Sequence, residues 1–358
     1  MGPELNQRSK KIVYRHHIVQ MPWRKLEGSR FHKIHRTLRC LGMVPLFRKE
    51  KADKLLANFR PELVLTVMQH ATWYDSARAY AKEKKLPLVT IVHDTNESFD
   101  KVYGWAKEVQ KRADGRFYRF ATQRLCVSPE MEEFCFQKYR VRGEVMYPNR
   151  DESLRPRPME MNAELRCPPH LTVGFVGNVN YGYGKALVDL LPAFEQSGAR
   201  LRIWSQLPGL DCRSLCGSPL VRFEGFMSSP EVWKSVKEVC DAVILPYSNE
   251  QRMRQLYSYH FPSKLPEYLA LGMPVIVTGP EYATGVRWAK KNPEAALAVL
   301  DQKPTKMVLI LKKLSGDASY RKQLAAGSIK EADEKFNPEA IRERFLQVLR
   351  KAAKLEKD

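Results

Sequence analysis

Cysteine is sparse and unpatterned in this chain. Its seven thiols, Cys40, Cys126, Cys135, Cys167, Cys212, Cys216 and Cys240, form an odd set without a pair of CxxC units. Only Cys212 and Cys216 stand close together, as CxxxC with no histidine nearby, so a zinc-ribbon framework is excluded and reduced, cytoplasmic thiols are expected. Long apolar runs are missing too. None reaches membrane-spanning length, and the first residues do not read as a secretory signal. There is no GxGxxG and no GxxxxGK[ST], which excludes the dinucleotide fingerprint and the P-loop. No Asp-x-Asp is followed by a ligand set, so neither a metal nor a cofactor is expected, and no DNA-binding signature is present.

Positive charge, by contrast, is abundant. Lys and Arg number 60 against 40 Asp and Glu, a net charge of +20. The excess is uneven: residues 1–50 hold 12 basic and 3 acidic side chains. Within them, Phe31, Ile34, Leu38 and Leu41 fall at helical spacing with Arg and Lys opposite, a basic amphipathic segment suited to an anionic membrane surface or to packing on its own domain. A basic first half also suits an acidic acceptor or nucleic acid. Arg15-His16-His17 has no carboxylate at ligand spacing and reads as a surface loop.

From residue 51 onward the pattern alternates helix and strand. Lys51–Phe59 reads as helix, Pro61–Val67 as strand, Thr72–Lys85 as helix and Leu88–Val92 as a buried strand. A basic helix over Ala113–Ala121 follows, then a strand ending at Ser128-Pro129, a helix to Tyr139 and a strand from Glu144. Residues 150–170 hold many prolines and charges and read as a linker. The second half opens with a strand from Leu171 into a Gly-rich loop containing Gly177, Gly182 and Gly184, then a helix from Lys185. Strands follow at Leu201–Trp204, Val221–Phe226 and Ala242–Tyr247. Ser248–Ser258 reads as a polar loop, and the stretches after Gly279 as helical. This punctuation predicts an α/β protein of two domains, residues 1–150 and 171–336, joined by a linker over 151–170.

The most informative stretch is Tyr259-His-Phe-Pro-Ser-Lys-Leu-Pro-Glu-Tyr-Leu-Ala-Leu-Gly-Met-Pro-Val-Ile-Val-Thr-Gly-Pro280. Ser263 stands where an N-cap belongs, Gly272 where a helix ends, and Val275–Thr278 is a buried strand. The N–H groups opening the helix, around Ser263, Lys264 and Leu265, suit an anion. Lys264 adds a full charge, and Glu267 lies one turn on along the same face. A cation for phosphate beside a carboxylate for sugar hydroxyls fits a nucleotide diphosphate sugar. An isolated Lys-x-x-Glu is ordinarily a solvated pair; the whole string distinguishes this one.

That string resembles the donor-site motif of glycosyltransferases with the B-type, two-Rossmann-domain fold, in the glycogen-synthase-like retaining superfamily. The resemblance implies that both domains are Rossmann-like and face each other across a cleft, and that Lys264 contacts the donor diphosphate and Glu267 the nucleotide ribose. Tyr259 stands where the family often has a further Glu. His93-Asp94 follows the Leu88–Val92 strand, where open α/β sheets bind ligands; the resemblance implies that His93 reaches the donor sugar across the cleft, with Asp94 beside it. Gln69-His70, after the preceding strand, is a weaker acceptor-side candidate. In the Gly-rich loop, Gly177 allows close backbone approach, Asn178 occupies the family's usual Arg place, and Lys185 is a candidate for its Lys. Arg252 or Arg254 can replace the charge missing at Asn178. No Gly-rich acceptor loop follows the first strand, a departure from the family. The resemblance also implies that a terminal helix, residues 337–358, crosses back to the first domain.

The expected activity is transfer of a sugar from a nucleotide diphosphate sugar to an acceptor hydroxyl, retaining and independent of metal, on a glycan or lipid-linked acceptor. A sugar-nucleotide epimerase of the same fold and a transferase acting on nucleic acid are the alternatives.

Overall fold

A computed structural model describes residues 59–69, 71–94, 104–154, 170–180, 182–206, 212–300 and 304–354, together with Ile34. The sequence readings at 11–14, 29–49 and 51–58 fall outside these residues, as does most of the linker. Ile34 is helical and exposed.

Two parallel sheets organise the chain. The first has the order β1 (Val64–Val67), β2 (Leu88–Val92), β3 (Gln123–Cys126) and β4 (Glu144–Val145). Parallel neighbours need a crossover, and α1 (Ala71–Lys84), α2 (Gly104–Phe120) and α3 (Pro129–Tyr139) supply it. Alternate residues of β2 face opposite layers. Leu88 and Val92 pack with Tyr74, Phe117, Tyr118 and Met131 of the helices. Val89 packs with Leu125 on the other face, against Val348 and Ala352 near the chain's C-terminus. Both layers are apolar, which is why Leu88-Val-Thr-Ile-Val92 reads as a continuous buried run.

The second sheet has the order β10-β9-β8-β5-β6-β7. It begins at its centre with β5 (Thr172–Val176) and runs outward through α4 (Tyr183–Ser197), β6 (Arg200–Trp204), α5 (Arg213–Gly217) and β7 (Val221–Phe223). After α6 (Ser229–Val239) the chain returns to the opposite side of β5. It lays down β8 (Ala242–Pro246), then α7 (Arg254–Tyr259), α8 (Lys264–Ala270), β9 (Val275–Gly279), α9 (Thr284–Lys291) and β10 (Leu297–Leu300). Because β5 pairs with both β6 and β8, the winding reverses between β5 and β8, and the crevice beyond the carboxyl ends of β5 and β8 is the binding position of doubly wound sheets. Helices α10 (Pro304–Gly316), α11 (Ala318–Lys335) and α12 (Pro338–Ala353) close the chain.

Two readings are corrected. Residues 248–258 are not a polar loop: a 3-10 turn over Gln251–Met253 runs into α7. Buried Tyr257 and partly buried Leu256 give that segment an apolar side its polar composition hides. The region after Gly279 is not all helical either, since β10 pairs in parallel with β9. A four-residue edge strand of Leu, Ala and Val carries too little β-branched signal to separate it from helix.

The two sheets meet along Tyr259-His260-Phe261. Ser128 accepts the Met131 N–H as cap of α3 and donates its own hydroxyl to the Tyr259 carbonyl at 2.8 Å. The Tyr259 ring lies 4.3 Å from that of Phe134, and Tyr147 meets Phe261 and Phe336 edge-on. Arg287 reaches the Ser258 carbonyl and the Glu130 carboxylate. Helix α12 joins the first sheet through Phe345, Val348, Leu349 and Ala352, with Arg344 bonded to Glu144 at 2.9 Å.

Candidate functional site

The site is assembled at the crevice. Tyr268 of α8 accepts the Val176 N–H at 2.8 Å and donates to the Val176 carbonyl, fixing the motif helix to the end of β5. Gly177 follows with φ of +139°, a conformation that favours glycine. A Cβ there would collide with the Lys264 side chain and lie 2.8 Å from its Nζ. Absence of a side chain at Gly177 is therefore what lets the lysine lie across the loop. Its ammonium sits 4.7 Å from the Tyr183 ring centroid, within cation–π reach.

Burial shifts both charges of the motif. Desolvation lowers the Lys264 pKa, opposed by the field of Glu267. Desolvation raises Glu267 to about 7, assisted by the nearby Asp151 carboxylate and resisted by Lys264. Asp151 is held by Ser229 at 2.8 Å and by Ser153. The arrangement is a cation and a carboxyl partly withdrawn from water beside a glycine whose backbone conformation side-chain-bearing residues rarely adopt. An anion reaching Lys264 would regain its Coulomb energy in a low-dielectric setting.

The other predicted residues fall as follows. Ser263 occupies the N-cap position, yet its backbone is already helical and its hydroxyl makes no capping bond. Pro266, three residues on, has no N–H to offer, and the Leu265 N–H bonds the Pro262 carbonyl at 3.1 Å, so neither candidate donor reaches the Ser263 hydroxyl. Leu265 is fully buried and anchors the helix. Asn178 accepts the Asn180 N–H at 2.8 Å and shapes the Gly-rich loop. Lys185 pairs with Asp189 one turn along α4, and Arg252 with Glu250 at 2.9 Å. Arg254 lies over the Tyr282 ring.

His93 and Asp94 leave the carboxyl end of β2 and face the second half of the chain. Asp94 Oδ1 accepts from His260 Nδ1 at 2.7 Å, while His93 Nε2 is 3.2 Å from Oδ2 and Gln69 Nε2 is 3.4 Å away. Burial alone would raise the Asp94 pKa, but the bonds from His260 and His93 outweigh it and hold the carboxyl well below the usual range. Asp94 is thus a fixed anion shared by two histidines, one from each sheet. A small cavity beside it is lined by Met68, Val92, Asp114, Phe134 and Lys138.

Sequence reasoning missed His260, Tyr183 and Asp151 as parts of this arrangement. His260 was visible as a polar residue directly before Phe261-Pro262. Nothing in sequence spacing joins Asp151 to Glu267, because only the fold brings them together. Among the described residues, no helix is long and apolar enough to cross a membrane.

The class of fold is the B-type glycosyltransferase fold, and comparisons with known proteins agree. Residues 11–148 match the model of Glycosyltransferase Family 4. The solved structures similar to this chain include a glycosyltransferase from Rickettsia africae ESF-5, with 11% identity and a TM-score of 0.68 over 99% of this chain and 89% of that one. Sucrose-phosphate synthase from Thermosynechococcus elongatus has 16% identity and a TM-score of 0.66, covering 86% and 77%. Anabaena HepE, solved with UDP-glucose, has 15% identity and a TM-score of 0.62, covering 86% and 82%. No curated protein sequence matches the chain.

Proposed function

We propose that the protein transfers a sugar from a nucleotide diphosphate sugar to an acceptor hydroxyl, with retention at the anomeric carbon and without a metal. The single observation that carries this reading is the half-buried Lys264 ammonium lying across Gly177 at the crevice, with Glu267 one helical turn away. The bond between the anomeric carbon and the β-phosphate oxygen breaks, and the oxygen keeps the electron pair. Lys264 neutralises the charge that develops there. The acceptor oxygen bonds to the anomeric carbon, and its proton passes to the departing phosphate oxygen. Glu267 accepts hydrogen bonds from the ribose. His93 contacts the donor sugar from the opposite sheet, and Asp94 positions it. Gly177 and Asn178 shape the phosphate loop, with Ser263 and Leu265 setting the start of α8.

A uridine diphosphate sugar is the first donor to test, because HepE was solved with UDP-glucose. The acceptor is a glycan or a lipid-linked sugar in cell-envelope polysaccharide synthesis, reached from the cytoplasmic face. Basic residues 1–50 hold the protein to that anionic surface. Nucleic acid is disfavoured as acceptor. The test is a thermal-shift screen of UDP-, GDP- and dTDP-sugars followed by transfer assays, since a ligand bound only by the native state raises its melting point. Stabilisation by one family of sugar nucleotides, lost in Lys264→Ala, supports the reading. No stabilisation by any of them overturns it.

A further inference from the structure

Helix α2 presents an outward face that combines exposed aromatic rings with exposed arginines. At about 100° per residue, Trp105, Arg112, Arg116, Arg119 and Phe120 fall on one stripe about 100° wide. Trp105 is 60% exposed and Phe120 is 37% exposed, one at each end of the helix. Lys107 and Lys111 are exposed on the flank. Glu108 is the one exposed carboxylate of the helix, and Lys111 and Arg112 already face it. The inner side is fully used, with Phe117 and Tyr118 buried in the core. Arg119 lies back over Gly115, where a Cβ would meet its guanidinium at 3.2 Å. Arg124 satisfies carbonyls at the C-terminal end, donating to those of Tyr118 and Arg119. The helix is therefore held from within and at its end, while two aromatic rings and three exposed arginines, Arg112 beside Glu108, Arg116 near Asp75 and Arg119 over Gly115, line the outward face over about 25 Å.

A core helix has no need of an exposed tryptophan, and a face selected only for solubility would carry both signs of charge. We infer that this face of α2 docks on an anionic phospholipid leaflet, with the rings of Trp105 and Phe120 at headgroup depth and Arg112, Arg116 and Arg119 on lipid phosphates. A leaflet offers apolar depth under both ends of the helix at once. Duplex nucleic acid offers phosphates there but no apolar layer, so the lipid fits both halves of the pattern. This surface is separate from residues 1–50 and builds on the reading that the acceptor lies at a membrane. It would set the crevice at a fixed height above the leaflet.

The test is flotation of the full chain with vesicles of neutral phosphatidylcholine, or of phosphatidylcholine with 30 mol% phosphatidylglycerol as about the anionic fraction that gives a strong surface field. The wild-type protein should float with the anionic vesicles, less so in high salt, and scarcely with the neutral ones. The triple variant Arg112→Glu, Arg116→Glu, Arg119→Glu should lower partitioning at least about tenfold. Trp105→Ala should lower it at high salt as well, because its contribution is apolar. Circular dichroism and the thermal shift with donor should be unchanged in both. A companion variant, Arg36→Glu, Arg39→Glu, Arg48→Glu, Lys49→Glu, separates the two surfaces. If wild type floats and the α2 variants float equally, the inference is wrong while the membrane reading stands on residues 1–50. If wild type binds no vesicles, or if the α2 variants instead abolish retention of duplex DNA or RNA, the lipid assignment is overturned.

Discussion

At the scale of single residues, the energetics turn on a lysine and a glutamate that the fold keeps partly dehydrated. Lys264→Ala should cost transfer by roughly 2 to 4 kcal/mol, the value of one preorganised donor at a developing charge. The measurement is kcat/KM with folding checked by circular dichroism; near-wild-type turnover would remove the lysine from the reaction. Glu267 makes a prediction about stability as well as binding. Its folded pKa, about 7, lies above the ordinary 4.5, so the folded protein holds this proton over a range where the unfolded chain has released it. Stability from this group is therefore complete below about 4.5 and is lost as pH rises through 7. Glu267→Gln should stabilise the unliganded protein at pH 8 by up to roughly 3 kcal/mol, with the gain disappearing near pH 4. The same variant should bind nucleoside diphosphate more weakly in calorimetry. A stabilised variant with unchanged nucleotide affinity would confirm the burial and refute the ribose contact.

At the scale of elements, the seam through Tyr259-His260-Phe261 joins the donor motif to the first sheet. His93→Ala should depress turnover and leave nucleoside diphosphate affinity near normal, because His93 follows β2 of the first sheet while the proposed diphosphate site is at α8 of the second. Equal loss of both in a titration would show that His93 holds the two sheets together through Asp94. The motif helix was legible in the sequence because its signals are local: a proline-bounded start, an apolar face and Gly272, whose φ of +69° ends the helix. Leu88–Val92 was legible for the same reason, as a short apolar run between breakers. The Ser263 cap does not form because Pro266 has no N–H and the Leu265 N–H is taken by the Pro262 carbonyl, a pairing the local pattern does not reveal. Helix α7 was misread because its apolar side is supplied by Leu256 and Tyr257 within a polar string. What no local pattern could reveal was pairing across the chain: Asp94 with His260, Asp151 near Glu267, and Tyr183 beneath Lys264 all depend on how the two sheets wind.

For the molecule as a whole, the first sheet depends on the chain's far end. Val348 of α12 is 7% exposed and lies against Val89 and Leu125. Val348→Asp would place an unpaired charge in that layer and should cost several kcal/mol, read as a lower denaturation midpoint. The loss should fall on the first sheet, so β2 and β3 amides should lose hydrogen-exchange protection before those of β5 and β8. If protection falls evenly, the two sheets unfold as one cooperative unit.

The position of α12 also sets an order in time. Strands β1 to β4 leave the ribosome about 200 residues before the helix that covers one of their faces. At roughly 5 to 20 residues per second, Val89 and Leu125 wait on the order of 10 to 40 seconds with that face open. During synthesis the nascent first sheet is a half-built layer with an exposed apolar side, vulnerable to pairing with other chains until α12 arrives.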